Sequence, residues 1–468
     1  MGKRARKSCP RCRQLEKQLE ELRARVLQLE EKLAAAQKDS STSSKPPSSD
    51  IVKPPPPEAT GSPRCIGGQP GHPKHEREPF RVEQVTSFAE HALDACPCCG
   101  GALRPSGALP QVVQQVDLLP ARLTVEQHTC PEYWCGQCQK AFKAPLPLHV
   151  EKGGLVGPHL TALIAYLKGV CHASFSTVRK YLRDIVGVTL SRGQLSKIVG
   201  KVTRALEKPY QELLALLPSV AVAHVDETGH KDKGEPWWTW CFRTELFTLY
   251  HIDPYRNADV LMTFLGKDFA GLLGCDYFSA YRRYMRECSI VVQFCLAHLI
   301  RDVKFLTKLP DVRDQRYGER LRQALKDLFA VIHQREQLPP GVFALRLQQA
   351  RQHVLDAGLI NVPGTRHSQN MAKRFRRHGE AYFTFITHPG VEPTNNLAEQ
   401  AIRFVVIDRH ITQGTRSEGG RHWSERIWTT IATCAQQGYS VYDFLYAAIT
   451  RWFANEPAPS LLTNNVRT

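Results

Sequence analysis

Three acidic residues stand in settings that suit metal-assisted chemistry: Asp226 in Ala-His-Val-Asp-Glu-Thr, Asp276 in Leu-Leu-Gly-Cys-Asp-Tyr, and Glu399 in Asn-Asn-Leu-Ala-Glu-Gln-Ala-Ile-Arg. Each Asp closes an apolar run that reads as a buried strand, and Glu399 lies in a run that reads as helix. Two such strand ends side by side would bring their carboxylates within several ångströms. At ~4 Å and an effective dielectric of about 20, two negative charges repel by roughly 4 kcal/mol. Protonation or a divalent cation must relieve that repulsion. Mg²⁺ or Mn²⁺ takes hard oxygen ligands and shares phosphate oxygens with a substrate, so the trio reads as a two-metal phosphoryl-transfer site. Taken singly, each Asp is an ordinary turn residue, and Glu399 with Arg403 is a helix-surface ion pair. The joint pattern carries the reading.

Other side chains suit supporting roles. Cys96-x-x-Cys99 and Cys135-x-x-Cys138 are two knuckles whose four thiolates fit a closed tetrahedral Zn²⁺ site, with Cys98 and Cys130 as competing ligands. Such a site supplies on the order of 10–16 kcal/mol of folding free energy to a small module. Cys295, His298 and Arg301 fall three apart on one helical face; they read as accessories to the acids or as a buried Cys and a hydrogen-bonded core His. Lys373, Arg374, Arg376 and Arg377 form a basic run, and Arg416 and Arg421 flank a Ser/Gly-rich loop. With Arg403 they are candidates for DNA phosphate contacts, the alternative being a solvated charged face or a plain loop. Trp237, Trp238 and Trp240 read as strand core.

The elements that must position these groups follow from pattern and composition. The chain has 468 residues, 42% of them hydrophobic, which suffices for a sizeable core in two to four domains. A formal charge of +17 points to a polyanionic partner, nucleic acid before a membrane surface. No apolar run is long enough for a transmembrane helix, and the basic N-terminus leads into a charged helix rather than a secretory core. The fifteen cysteines are therefore expected to be reduced and cytoplasmic. Residues 1–38 hold a basic start and a heptad seam (Leu15, Leu19, Leu22, Val26, Leu29, Leu33, Ala36), which predicts self-association through a coiled coil. The other reading is an amphipathic helix packed on its own protein. Residues 39–80, rich in Pro, Ser and Gly, read as a disordered linker. Residues 81–150 form the zinc-finger-like module. Residues 151–210 read as three helices resembling a helix-turn-helix, with Ser191 capping the last. From 219 the order β-β-β-α-β-α-β predicts a mixed sheet flanked by helices. Residues 296–385 read mainly as helix with a break near Leu338-Pro339-Pro340-Gly341, residues 394–407 and 423–454 as helix again, and 456–468 as a tail.

Several segments, in order, resemble a bacterial DDE transposase of the insertion-sequence-66 type. They are Lys-Pro-Pro-Ser48-Ser49-Asp50, Gly-Gly-Gln-Pro-Gly-His-Pro at 67–73, the two cysteine pairs, Asp226-Glu227-Thr228, Asp276-x-x-x-x-Tyr281, Cys295-x-x-His298-x-x-Arg301, and Asn395-Asn396-x-Ala398-Glu399. The resemblance implies an RNase H-like core in two parts, 211–308 and 392–455, interrupted by a helical insertion at 309–391. It implies Asp226, Asp276 and Glu399 as the metal-binding triad, hydrolysis of donor strands at element ends, and attack of the freed 3′-hydroxyl on target DNA. Accessory proteins of the same element are further expected partners. Gln400 departs from the Arg expected after the Glu. The other functions open to this sequence are a non-catalytic zinc-dependent DNA-binding regulator and an RNase H-like structure-specific nuclease.

Overall fold

The computed structural model describes residues 10–38 and 123–462 (Gly136 aside), with scattered positions between 80 and 114. Residues 39–79 of the expected linker, Cys96, and the last six residues of the tail lie outside the described residues. The chain divides into two units, one of residues 1–54 and 125–468, the other of residues 55–124. In the smaller unit, Phe80 and Gln114 exchange two hydrogen bonds, the Phe80 N–H donating at 2.6 Å and the Gln114 amide donating back at 2.9 Å.

The larger unit begins with a single helix, α1 (Pro10–Ala36). The hairpin β1 (Glu132–Cys135) and β2 (Lys140–Lys143) follows. Then come α2 (Leu148–Gly153), α3 (Pro158–Gly169), α4 (Phe175–Tyr181), α5 (Arg192–Ala205) and α6 (Glu207–Leu216). Ser191 caps α5 as expected: its Oγ accepts from the Gln194 N–H at 3.1 Å, and the Gln194 side chain accepts from the Ser191 N–H at 2.7 Å. Val156, Ile164, Val178, Leu182, Leu195 and Ile198 give α3–α5 a small apolar core of their own.

The mixed sheet is built from β3 (Val222–Asp232), β4 (Glu235–Arg243), β5 (Thr248–Asp253), β6 (Leu272–Cys275) and β7 (Val291–Phe294), in the order β5-β4-β3-β6-β7. β4 runs antiparallel to β3 and β5, while β3, β6 and β7 are parallel. The parallel steps are made by α7 (Ala258–Phe264) and α8 (Ser279–Cys288). The β6 run Leu-Leu-Gly-Cys is buried on both faces, which is why it reads as an unbroken apolar segment. Gly274 is needed there: a Cβ would lie 2.5 Å from the His224 ring.

The helices α9 (Leu296–Leu306), α10 (Val312–Ile332), α11 (Pro340–Leu359), α12 (Arg366–His378) and the short α13 (Thr384–Thr387) follow the sheet. Pro340 opens α11, so the helical stretch breaks where the Pro-Pro-Gly signal sits. The chain then returns through α14 (Asn396–Thr412), α15 (Glu418–Gln437) and α16 (Val441–Phe453). Among the described residues no helix is long and apolar enough to cross a membrane.

One departure from the sequence reading concerns β3. Asp226 does not end the strand; it lies in the middle of it. The apolar run stops at Val225, but β3 continues because its polar half pairs with β4, from Asp226↔Cys241 to Asp232↔Glu235. Parallel pairing with β6 stops at His224↔Gly274, two residues before Asp226. What ends at the site is the parallel partner, not the strand itself.

α1 shows two faces. Leu15, Leu19, Leu22, Val26, Leu29 and Leu33 are all exposed. Leu27, Glu31, Ala34 and Lys38 are partly covered, with Glu31 3.8 Å from His367 of α12 and the Lys38 ammonium 3.7 Å from the centre of the Phe305 ring on α9.

Candidate active site

The register of β3 and β6 sets the first two acids side by side. Val222, Ala223 and His224 pair with Leu272, Leu273 and Gly274, so the same offset carried forward puts Asp226 level with Asp276 just past the end of β6. Neighbouring strands lie about 4.8 Å apart. Glu399 arrives from α14, whose start is fixed by Asn395. The Asn395 Nδ2 donates to the Val225 carbonyl at 2.8 Å, its Oδ1 faces His224 Nδ1 at 3.2 Å, and its backbone N–H donates to Cys295 Sγ at 3.1 Å. The Leu296 N–H donates to the Pro393 carbonyl at 3.0 Å. The loop before Glu399 is thereby anchored to the residue before Asp226 and to the start of α9, and Glu399 follows one helical turn later.

The electrostatics record the crowding. Burial, then the negative charges of Glu227, Asp276 and Glu399, pushes Asp226 well above the usual carboxylate range; the Glu227 N–H at 3.0 Å opposes this. Burial also raises Asp276, against the Phe278 N–H, Arg256 and Arg374. Burial raises Glu399 against Arg301 and Arg403. Burial is the largest cause at each of the three carboxyls, and at Asp226 the neighbouring carboxylates add to it. Their oxygens are the donor type that hard divalent cations take, so the residues present fit Mg²⁺ or Mn²⁺.

Cys295, His298 and Arg301 gather at Glu399. Arg301 Nη2 donates to Glu399 Oε1 at 3.2 Å and to His298 Nε2 at 3.1 Å. His298 Nδ1 lies 3.3 Å from the same Glu399 oxygen, too poorly aligned for a full hydrogen bond. Burial, then the charges of Arg301 and Arg374, holds His298 down at about 3, so it is neutral. Cys295, His298 and Glu399 could each offer a metal one ligand atom. The Arg301 guanidinium already supplies that corner with positive charge, and the arrangement is a clamp on the Glu399 carboxylate.

Glu227 is a site residue that pattern reading passes over. It is buried beside Asp226, receives Arg256 Nη2 at 2.6 Å and Nε at 2.8 Å, and accepts a hydrogen bond from the Tyr281 hydroxyl. Arg256 is sandwiched between the Trp238 and Phe278 rings at 4.4 and 4.0 Å. Burial, then the charge of Asp276, pushes Glu227 up to about 7. The available signal was the Asp226-Glu227 doublet: two adjacent acids on a strand face opposite sides, and one of them had to meet a cation on the α8 side.

The basic candidates do not gather in one place. Lys373, Arg376 and Arg377 are exposed on the outer face of α12, and Arg403 on α14. Arg374, from the same run, is turned inward: its guanidinium pairs with Asp302 at 2.6 Å, bonds the Tyr382 hydroxyl and lies 3.9 Å over the Tyr277 ring. Arg416 is exposed. Arg421 pairs with buried Asp232 at 2.6 Å and stacks on Trp237, fastening the end of β3 to the first turn of α15. Arg374 and Arg421 therefore spend their charge inside the protein.

Of the zinc candidates, Cys135 and Cys138 form the turn of the β1–β2 hairpin, with Gln139 donating its N–H to the Cys135 carbonyl at 2.9 Å. N–H and S–H groups of Cys138, then the Gln137 N–H, lower the Cys135 thiol, which favours the thiolate a metal needs. Cys99 of the other unit is exposed in a turn.

A mixed sheet that delivers two aspartates from neighbouring strands toward a glutamate on a returning helix defines an α/β protein with an acid-cluster site. The family model described as "Transposase IS66 family" matches residues 153–422, and the chain belongs to that family. A second model, the zinc-finger binding domain of transposase IS66, matches residues 94–139, spanning both cysteine pairs. A family of unknown function matches residues 4–78. Two proteins of Sinorhizobium fredii are similar. "Uncharacterized protein y4jD" is 24% identical over 415 residues, 80% of this chain and 77% of that protein. "Uncharacterized protein y4hP" is 24% identical over 395 residues, 77% and 69% of the two chains.

Proposed function

We propose that this transposase works by a DDE mechanism on an RNase H-like core, with Asp226, Asp276 and Glu399 as ligands of Mg²⁺ or Mn²⁺. The observation that carries the reading is the convergence of the three carboxyls from β3, the end of β6 and α14, each displaced upward in its ionisation by burial. The five-stranded mixed sheet with one antiparallel strand supports the core assignment. Bound there, the metal would lower the pKa of the attacking hydroxyl and offset charge on the leaving oxygen.

The chain's own residues orient and balance. Asn395 sets the angle at which α14 presents Glu399, and Arg301 with neutral His298 keeps that carboxylate from swinging away. Glu227, held by Arg256 and Tyr281, fixes β3 against α8 on either side of the aspartates. In the first step water attacks the phosphorus at an element end; the P–O3′ bond breaks and leaves a 3′-hydroxyl and a 5′-phosphate. In the second, that 3′-hydroxyl attacks a target phosphodiester; one P–O bond forms, one breaks, and the target's 3′-oxygen leaves with a proton. Bond count is conserved, so no nucleotide hydrolysis is needed.

Element ends and target DNA are the partners this reading requires. Lys373, Arg376, Arg377, Arg403 and Arg416 are exposed and suited to phosphate. The exposed seam of α1 supports self-association as a coiled coil. Cysteines of the segment matched by the zinc-finger model hold one structural Zn²⁺. A test is incubation of the full chain with Mg²⁺, a donor plasmid carrying the DNA that flanks this reading frame, and a target plasmid. The expected result is donor ends covalently joined to target. Cleavage without joining would favour the nuclease reading, and DNA binding with neither step the regulator.

A further inference from the structure

A positive feature outside the assigned residues lies on α8, which begins three residues after Asp276. The sequence Ser-Ala-Tyr-Arg-Arg-Tyr-Met-Arg buries Ala280, Tyr281 and Tyr284 on one face and presents Arg282, Arg283 and Arg286 on the other. These three and Arg256 line a cavity of about 350 Å³ whose remaining lining, Asn257, Ala258, Ser279 and Ala280, holds no acid. Arg283 is shared with Asp259 and Glu287, at 3.3 and 3.1 Å, and Arg286 with Glu287 at 3.2 Å. The N-cap position of α8, Phe278, offers no side-chain oxygen to the free amides of the first turn.

Arg282 is the hinge of the arrangement. Its guanidinium lies 4.6 Å over the Tyr277 ring, and its Nε is buried without a hydrogen-bond partner among the described residues. A buried, unpaired guanidinium nitrogen is costly unless something arrives to accept from it. Arg282 also lines the adjoining cavity of about 490 Å³, with Lys373 and Arg377 of α12 and Lys38 beyond α1. The one acid of that second cavity, Asp302, is paired with Arg374, so two cavities lined by arginines and lysines meet at one arginine, which lies over the Tyr277 ring.

Resting on the transposase reading, we propose that Arg282 is a phosphate-binding residue at the centre of a DNA-strand track beside Asp276. Arg283 and Arg286 continue the track over α8, and Lys373 and Arg377 continue it onto the helical insertion. The preference for a phosphodiester over an acidic peptide comes from the spacing. Basic residues of two separate helices, α8 and α12, line two adjoining cavities that share Arg282, and the planar guanidinium fork suits phosphate oxygens. The insertion then grips the strand whose scissile phosphate lies at the acids.

The test is fluorescence anisotropy of a labelled random-sequence DNA duplex titrated with the full chain over a range of salt. Arg282→Gln should weaken binding by about tenfold at moderate salt and make the dependence of log affinity on log salt shallower by about one. Arg286→Gln removes a side chain on the solvent side, cannot unfold the protein, and should act in the same direction. Arg346→Gln, an exposed arginine on α11 away from both cavities, is the control for loss of one charge. If Arg282→Gln and Arg286→Gln, with unchanged thermal unfolding, both bind and respond to salt as Arg346→Gln does, the track is wrong. That result would leave strand joining by the unsubstituted protein intact. Absence of joining with the arginine effects present would instead count against the catalytic reading alone.

Discussion

Asn395 ties three chain segments together with one side chain and one amide: β3 through Val225 and His224, α9 through Cys295, and its own helix through position. Asn395→Ala keeps the backbone N–H that bonds Cys295 but would leave the Val225 carbonyl without its donor and His224 Nδ1 without its partner, at a cost of about 1–3 kcal/mol by denaturant unfolding. The loss in strand transfer should exceed what that destabilisation accounts for, because α14 would present Glu399 at a relaxed angle. Asn395→Asp, which keeps an acceptor for His224 and loses the donor, should not restore the rate. Recovery of full activity in a folded Asn395→Ala protein would remove its positioning role. The three acids and the Cys-x-x-His-x-x-Arg spacing were legible in the sequence because each interrupts or follows an apolar run. Glu227 and Arg256 were not, because a buried ion pair between distant positions leaves no periodic trace. For the same reason Arg374 and Arg421 look like surface charge in sequence, while Asp302 and Asp232 claim them in the fold.

At the scale of elements, β5 is an edge strand whose outward N–H groups are taken up by a helix. The amides of Thr248, Tyr250 and Ile252 donate to Thr433 Oγ1, Thr429 Oγ1 and Glu425 Oε1 at 3.3, 3.0 and 2.8 Å. The three acceptors recur every fourth residue on α15, so a helix row matches alternate strand positions and closes the edge. Thr429→Val should cost about 1–3 kcal/mol by leaving the Tyr250 N–H buried and unpaired, measured as a lower unfolding midpoint. His251 reinforces the same joint, with Nδ1 2.9 Å from Glu425 and Nε2 3.5 Å from Asp253. Burial works against its charge, but the hydrogen bonds and charges of those two acids outweigh it and raise its pKa to about 9. Its folded value exceeds the unfolded one of about 6.5, so the stabilisation is complete below that pH and is lost as pH rises through 9. Stability measured between pH 6.5 and 9 should fall with pH, and His251→Gln should flatten that slope; an unchanged slope would show that His251 is not the linked group. The strands and their order along the chain were legible because β6 is a continuous apolar run and β4, β5 and β7 are rich in aromatic and β-branched residues. The polar second half of β3 was not, since its Glu-Thr-Gly-His-Lys-Asp sequence becomes strand only by pairing with the tryptophan strand β4 and with Thr415.

Across the whole molecule, two devices should govern assembly. The leucine seam of α1 faces outward while its opposite face rests on α9 and α12, so one helix can join a second copy without leaving its own body. Leu22→Glu with Leu29→Glu should shift the full chain from dimer to monomer in sedimentation and leave the unfolding midpoint nearly unchanged. A dimer that survives would place the interface elsewhere. The zinc segment should hold one Zn²⁺ per chain, and Cys135→Ser with Cys138→Ser should release it, read by elemental analysis of the purified full chain. Zinc retained at full occupancy would exclude those thiols as ligands.

If Asp226, Asp276 and Glu399 act as one metal-binding unit, strand transfer depends on all three. With Mg²⁺ and pre-cut donor ends, Asp226→Asn, Asp276→Asn and Glu399→Gln should each abolish joining while duplex binding and thermal unfolding stay close to those of the unsubstituted protein. Joining at an undiminished rate in any one of the three variants would show that the acids do not act as one metal-binding unit.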